Sequence, residues 1–401
     1  MFIEGGIAAP QGFVAGAVHC GIRKNTNKKD LAVIYSVRKC NAAAVYTQNV
    51  VVGAPIKVTK EHLVDGQAQL IICNSGNANT CNADGVDIAN KMCELIADKF
   101  KVEQQDVIIA STGVIGEPLD INKISDGIER IKLHKDSAVE AAEAIMTTDI
   151  VIKEMATTFE INGNTCTVGS IAKGSGMICI NMATMLGFIT TDVAITSEML
   201  QLALVKSVEP TYNMVSVDGD TSTNDMVAIM ANGMANNPII DKEDENFDKF
   251  VEALTAINLD LARKIARDGE GASKLLVVNV NGAKTKPDAA KLAKTVVNSS
   301  LVKTAMYGND ANWGRILCAL GYAGVAFDPT QVGVTFKSTH GEITICENGS
   351  SVQFDESVAT HVLNDEEIVI HVELNEGNEC ATAFGCDLTE KYVEINGSYR
   401  S

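Results

Sequence analysis

The chain is short of proline and almost lacks tryptophan, with 7 Pro and 1 Trp in 401 residues. No Pro/Ser-rich linker, low-complexity tract, charge block or short-period repeat interrupts it, which excludes domains strung on flexible tethers. Positive charge is also scarce. Against 51 Asp and Glu stand 33 Lys and Arg, a net charge of −18. No overall basic field is available to attract nucleic acid or an anionic membrane, although a local basic pocket for a small anion stays open. No apolar run reaches the roughly 20 residues of a membrane-spanning helix. The longest, around Gly176–Ile189, is broken by Asn181. The start, Met1-Phe-Ile-Glu-Gly5, lacks the basic residues and apolar core of a secretory signal. A cytoplasmic protein is expected.

Two chemistries are missing as well. The eleven cysteines form no CxxC pair, so neither a zinc ribbon nor a redox motif is indicated. Most sit in apolar runs, as in Ile71-Ile72-Cys73 and Ile316-Leu317-Cys318, and read as reduced, buried thiols. The six histidines (His19, His62, His134, His340, His361 and His371) show no HxH or HxxxH spacing, and no metal site is expected. None stands out as the base of a serine or cysteine triad.

What is present is size and alternation. The chain exceeds the roughly 250–300 residues at which one core stops growing, so two closely joined lobes are expected. Short apolar runs at Leu31–Ser36, Leu70–Cys73, Val107–Ala110 and Leu275–Val280 read as strands. Ile368, Ile370, Val372 and Leu374 alternate like a half-buried strand. Helical spacing links Ile88, Met92, Leu95, Ile96 and Phe100, and again Phe247, Phe250, Val251, Leu254, Ile257, Leu261 and Ile265. Ala138–Met146 is helical by propensity. Thr196 or Ser197 could cap a helix running toward Pro210. Asn281-Gly282 and Asn348-Gly349 suggest hairpin turns. The mixture favours an α/β (α+β) protein with mixed, partly antiparallel sheets rather than a plain doubly wound fold.

The strongest local signal is Lys173-Gly-Ser-Gly-Met-Ile-Cys-Ile-Asn-Met-Ala-Thr-Met-Leu-Gly187, which sets Thr184 directly after Ala183 in a glycine-rich, apolar stretch. A threonine hydroxyl can attack the carbonyl before it, and hydrolysis of the resulting ester frees a new N-terminus. That threonine then carries both a nucleophile and, in its own α-amine, a base. The alternative is a core segment filled by Met177, Met182, Met185, Leu186 and Phe188. Four further motifs carry similar pairs of readings. Ser111-Thr112-Gly113-Val-Ile-Gly116 follows a strand and offers oxyanion-hole donors or an ordinary glycine turn. Asn74–Thr80 follows another strand, as a polar pocket lining or a hydrogen-bonded loop. Val217–Asp225 holds three aspartates but places Ile229 where a calcium loop starting at Asp218 needs Glu, so a structural turn network is favoured. Glu270, between Gly269 and Gly271, is little shielded and reads as an ammonium-binding carboxylate or a solvated turn residue. Trp313 reads as packed, with Arg315 in an ion pair.

In their order along the chain these pieces resemble the glutamate N-acetyltransferase family, also called ornithine acetyltransferase, of arginine biosynthesis. The resemblance runs from Gly5-Gly6 and His19-Cys20-Gly21-Ile22-Arg23 to Asn396-Gly-Ser-Tyr-Arg-Ser401. Its most specific parts are Lys173–Gly187, then Ser216–Asp225 and Ala266–Lys274. It implies a fold like that of the ornithine acetyltransferases and N-terminal-nucleophile aminopeptidases. It implies self-cleavage between Ala183 and Thr184 into an N-terminal chain 1–183 and a C-terminal chain 184–401, assembled as two of each. Thr184 would accept acetyl from N-acetylornithine and pass it to glutamate. Thr112 and Gly113 match the oxyanion-hole pair. Thr147, Lys173, Thr184, Glu270, Asn396 and Ser401 match substrate-binding positions, with Thr148 adjacent to Thr147. No cofactor or metal is required, and acetyl-CoA is compatible as a further donor. Ile180 stands where the family usually has proline, and Phe384 where tryptophan is common.

Chemically the assignment is coherent. Lys173 suits the α-carboxylate that donor and acceptor share, and Glu270 suits an ammonium. A covalent acetyl-threonine divides the transfer into two half-reactions at one site. Two other expectations compete with it. A self-processing amidohydrolase or aminopeptidase would hand the acyl group to water, and a non-catalytic binding protein would stay uncut.

Overall fold

The computed structural model describes residues 1–179 and 185–398. The Ala183-Thr184 bond, Ile180, Met182 and Ser401 lie outside the described residues.

Strands β1–β7 are Phe2–Ile3, Phe13–Val18, Leu31–Tyr46, Gln67–Asn77, Val107–Val114, Lys153–Ile161 and Asn164–Lys173. Strands β8–β11 are Ile178–Cys179, Leu186–Thr191, Val215–Thr221 and Met226–Ala231. Strands β12–β17 are Leu275–Ala283, Gly333–Ser338, Gly341–Glu347, Ser350–Ser351, Glu367–Glu373 and Glu379–Cys386. Helices α1–α5 are Ala54–His62, Gly85–Phe100, Ile121–Arg130, Ala138–Ile145 and Ser197–Val208. Helices α6–α11 are Glu245–Arg267, Lys286–Asn298, Ser300–Tyr307, Trp313–Gly321, Glu356–Leu363 and Glu390–Gly397.

Two sheets form, each in its own compact unit, as the chain length requires. The first unit holds described residues 1–174, 185–212 and 221–261, and the second 175–179, 213–220 and 262–398. This division by packing differs from the division into 1–183 and 184–401, since each unit takes residues from both sides of position 184.

The nine-stranded sheet of the first unit runs β1-β6-β7-β9-β11-β3-β4-β5, with β2 on β3. It is mixed: β9/β11 and β4/β5 are parallel, the other pairs antiparallel. Both faces are covered. Ala32, Ile34, Ile71, Cys73, Ile108 and Ala110 pack toward α4 with its Ala141, Ala142 and Ile145. Their neighbours Leu31, Val33, Leu70, Ile72, Val107 and Ile109 pack toward Val58 of α1, Met92 and Ile96 of α2 and Ile128 of α3. Burial on both faces explains why these strands read as unbroken apolar runs.

The second unit's sheet runs β15-β14-β13-β16-β12-β17-β10-β8. Here Ile368, Ile370 and Val372 are buried and alternate with half-buried Val369 and His371, the signature of a sheet with one covered face. Phe384 is buried in β17, with the Arg263 guanidinium 5.8 Å from its ring centre.

Several expectations hold. Thr196 caps α5, its hydroxyl accepting from the Met199 N–H at 3.3 Å. The α6 stripe is buried except for half-buried Val251. Asn348 and Gly349, with φ of 48° and 67°, form the two-residue turn between β14 and β15. Others need correction. Asn281-Gly282 is an irregularity in β12, where the β17 pairing slips between Val280 and Ala283, and not a hairpin. Trp313 is only half-buried. Arg315 makes no ion pair among the described residues; its guanidinium donates to the Leu301 carbonyl at 2.8 Å and to the Thr304 hydroxyl at 3.3 Å. Among the described residues no helix is long and apolar enough to cross a membrane.

Candidate active site

In the first unit, the Thr112-Gly113 pair does not sit in a turn after its strand. It lies inside β5, paired in parallel with Ser75 and Gly76 of β4. Asn74–Asn77 likewise belongs to β4 rather than following it. The register slips at Gly76 and Asn77. The cause is a close backbone approach: a Cβ on Gly113 (φ 133°) would lie 2.3 Å from the Gly76 carbonyl carbon and 2.5 Å from Asn77 N. Only glycine fits there. The polar run Asn74–Thr80 is occupied by internal bonds, as the loop reading requires. Ser111 Oγ donates to Asn74 Oδ1 at 2.6 Å, Asn74 Nδ2 to the Asn77 carbonyl at 2.9 Å, and Gly116 N to the Thr80 carbonyl at 3.0 Å.

Asn224, from the aspartate-rich motif, joins this region to the strand that follows the candidate nucleophile. Its buried Nδ2 donates to the carbonyls of Ala78 (2.5 Å) and Ser111 (2.9 Å). Its Oδ1 accepts from the hydroxyls of Thr80 (2.5 Å) and Thr223 (2.7 Å). The Ser111 carbonyl belongs to the same planar peptide as the Thr112 N–H, so holding one aims the other. Two residues after Asn224, Met226 N donates to the carbonyl of Met185, the residue after Thr184, at 3.0 Å. The candidate oxyanion pair and Met185, which follows the candidate nucleophile, are thus tied through one short stretch. Of the residues proposed as core filling, Met185, Leu186 and Phe188 are buried, whereas Met177 is 45% exposed.

Lys173 closes β7, opposite Leu186 of β9. It is 9% exposed, and among the described residues its ammonium makes no hydrogen bond or ion pair. Two carboxyls feel its charge. Burial pushes Asp149 up, but the charges of Lys173 and Lys153, with hydrogen bonds from Lys153 and the Thr147 N–H, outweigh it and hold Asp149 well below the usual carboxylate range. Burial pushes Asp225 well above that range, against the weaker pull of Ser222 and Lys173. Asp225 Oδ2 has no hydrogen-bond partner among the described residues. One neighbouring carboxylate is therefore engaged elsewhere and the other is driven toward its neutral acid. Lys173 therefore feels the Asp149 charge without bonding to it, and its ammonium donors remain free for an anion. Thr147 is half-buried. Its N–H is taken by Asp149 at 3.0 Å and its carbonyl by Arg23 Nη2 at 3.0 Å.

In the second unit, Glu270 is not the exposed turn carboxylate its glycine neighbours suggest. It is 7% exposed, and Oε2 accepts from Asn396 Nδ2 of α11 at 2.7 Å. Gly176 explains the glycine-rich segment, because a Cβ there would lie 2.2 Å from the Glu270 carboxyl carbon. Glu270 N also donates to the Ser175 carbonyl at 2.9 Å, and Ser175 Oγ to the Asp268 carbonyl at 2.7 Å. Asp218 accepts from Met177 N (2.7 Å), Ile178 N (2.8 Å) and the Tyr392 hydroxyl (3.2 Å), which anchors the approach to the candidate cleavage site. Its oxygens serve N–H groups, the structural role favoured over calcium. Among the described residues no group of three or more His, Cys, Asp or Glu side chains is arranged to hold a metal.

Thr112, Gly113, Thr147 and Lys173 thus fall in the first unit and Glu270 and Asn396 in the second, while Ala183, Thr184 and Ser401 lie outside the described residues. Cysteine offers no rival nucleophile among its buried members. Burial pushes the thiols of Cys20, Cys40, Cys73 and Cys166 up to about 12, so they stay protonated. Asp149, Asn224 and Arg23 did not stand out as site residues. Asp149 follows Thr147-Thr148 directly, and that adjacency was the only signal.

Known proteins resemble the chain over nearly its whole length. The model of the ArgJ family matches residues 14–401. The arginine biosynthesis bifunctional protein ArgJ of Caldanaerobacter subterraneus subsp. tengcongensis is 50% identical over 100% of this chain and 99% of its own length. The protein of the same name from Symbiobacterium thermophilum is 47% identical over 100% of both chains. A crystal structure of the ArgJ protein from Bacillus halodurans is 45% identical with a TM-score of 0.51, covering 54% of this chain and 100% of that chain. The chain belongs to the ArgJ family.

Proposed function

We propose that the protein is a self-cleaving acetyltransferase of arginine biosynthesis that moves acetyl from N-acetylornithine to glutamate through an acetyl-Thr184 ester. Cleavage at Ala183-Thr184 frees the α-amine that serves as base for the Thr184 hydroxyl. The donor's amide carbonyl is attacked, and the oxyanion is stabilised by donors at Thr112 and Gly113. Ornithine leaves with the proton. Glutamate's amine then attacks the ester and departs as N-acetylglutamate, restoring the hydroxyl. Acetyl passes between two amines, so the exchange is nearly balanced and needs no metal or cofactor. Acetyl-CoA fits the same acyl-threonine intermediate as a second donor. The active form in the cytoplasm holds two copies of each fragment.

The observation that carries this reading is Lys173, a buried lysine whose ammonium makes no hydrogen bond or close ion pair among the described residues, in the unit that also holds Thr112 and Gly113. Both proposed substrates bring an α-carboxylate that its free donors could hold. Glu270, held by Asn396, supplies a carboxylate for an ammonium. A length supports the cleavage: residues 184–401 are 218 of 401 residues, or 54% of the chain, the share covered by the complete Bacillus halodurans chain.

Steady-state ornithine release from N-acetylornithine at several glutamate concentrations tests the reaction. Parallel double-reciprocal lines and equal yields of ornithine and N-acetylglutamate are expected. Ornithine and free acetate formed at full rate without glutamate would instead identify an amidohydrolase.

A further inference from the structure

Asp149 lies between the two stretches that carry Thr147 and Lys173, and its acceptor capacity is taken up by three donors. Oδ1 accepts from Gly174 N at 2.7 Å and from Lys153 Nζ at 2.8 Å, and Oδ2 accepts from Thr147 N at 3.0 Å. Asp149 is 2% exposed and Lys153 is 0% exposed. Gly174 directly follows Lys173. One carboxylate therefore fixes the backbone beside both candidate substrate contacts. On the far side of Thr147, Arg23 Nη2 donates to the carbonyls of Met146 at 2.6 Å and Thr147 at 3.0 Å. The peptide groups on both sides of Thr147 are gripped by buried or half-buried charges.

We propose that Asp149 is a positioning residue that sets the spacing of Thr147 and Lys173 to fit one amino-acid carboxylate end. The inference rests on reading those two residues as substrate contacts. A buried ion pair alone does not account for the arrangement, because such a pair contributes little net stability relative to apolar residues of similar size. Charge-assisted bonds to backbone N–H groups do account for it. They are short, directional and stronger than neutral ones. Asp149 makes no hydrogen bond to Lys173 and acts on it through its charge alone, so the ammonium donors stay available to the ligand.

Two variants test this. Asp149→Asn keeps the shape, removes the charge and turns one acceptor into a donor. Asp149→Asn/Lys153→Met also removes the buried cation that the first change strands. In both, KM for N-acetylornithine and for glutamate is expected to rise by about tenfold to a hundredfold, with kcat changing far less, because misplaced contacts cost binding geometry. The double variant should regain much of the melting temperature lost in the single one while KM stays high. Recovery of KM together with melting temperature would overturn the proposal and reduce Asp149 to a counter-ion for Lys153. Wild-type KM in either variant would overturn it too. Failure of wild-type protein to transfer acetyl to glutamate would be a separate result, removing the reading of the site and the proposal with it.

Discussion

Thr184→Ala is expected to leave the protein as one uncut chain of 401 residues and to lower acetyl transfer by about 10⁴-fold or more, the scale seen when a covalent nucleophile is removed. The two losses share one cause. In the proposed mechanism the hydroxyl that attacks the Ala183 carbonyl during maturation is the one that later attacks the donor amide, and no cleavage means no free α-amine to act as base. Denaturing gel electrophoresis reads the first loss and ornithine release the second. A Thr184→Ala variant that is cut and active would remove Thr184 from the mechanism. One that stays uncut yet transfers acetyl at the wild-type rate would separate maturation from catalysis.

Lys173→Met carries the second large effect, and it falls on activity far more than on stability. Removing one member of a desolvated charge pair with the ligand costs about 2–5 kcal/mol, so kcat/KM is expected to fall by about 30-fold to several thousandfold. In the free protein the same change removes a charge that helps keep the buried Asp149 ionised, so some stability is lost as well. The folded enzyme is nonetheless expected to lose far more activity than the modest fall in melting temperature explains. A large fall in melting temperature with kcat/KM of the folded enzyme unchanged would show that Lys173 holds the fold and not the substrate.

Much of the architecture was legible in the sequence because it rests on local periodicity. The α6 stripe, the Thr196 cap and the alternation in β16 each follow from side chains a few residues apart. The candidate nucleophile segment stands out in the sequence because a threonine after a small residue, among glycines, has a chemical reading of its own. What stayed hidden depends on neighbours far along the chain. Gly176 looks like a flexible position until Glu270 is found packed against the hydrogen its side chain would replace. Thr112-Gly113 looked like a turn because glycine punctuates loops. The strand passes through it because Gly76 of β4 allows the two backbones to approach closely. Asn224 and Asp149 are ordinary residues by type. Their roles exist only in the carbonyls and N–H groups they reach, on strands and loops that sequence spacing does not bring together. The charge of Arg315 suggests an ion pair, whereas its guanidinium donates to the Leu301 carbonyl at 2.8 Å, an acceptor that sequence spacing does not reveal.

The most direct measurement is the intact mass of each chain, with N-terminal sequencing, on protein incubated with N-acetylornithine alone and then denatured in acid. Without glutamate the first half-reaction has no acceptor, and the acyl group stays on the enzyme. The account predicts two chains, 1–183 and 184–401, the second beginning at Thr184 and heavier by one acetyl group that glutamate removes. A single uncut chain, or two chains of which neither carries acetyl while ornithine is still released, would contradict it.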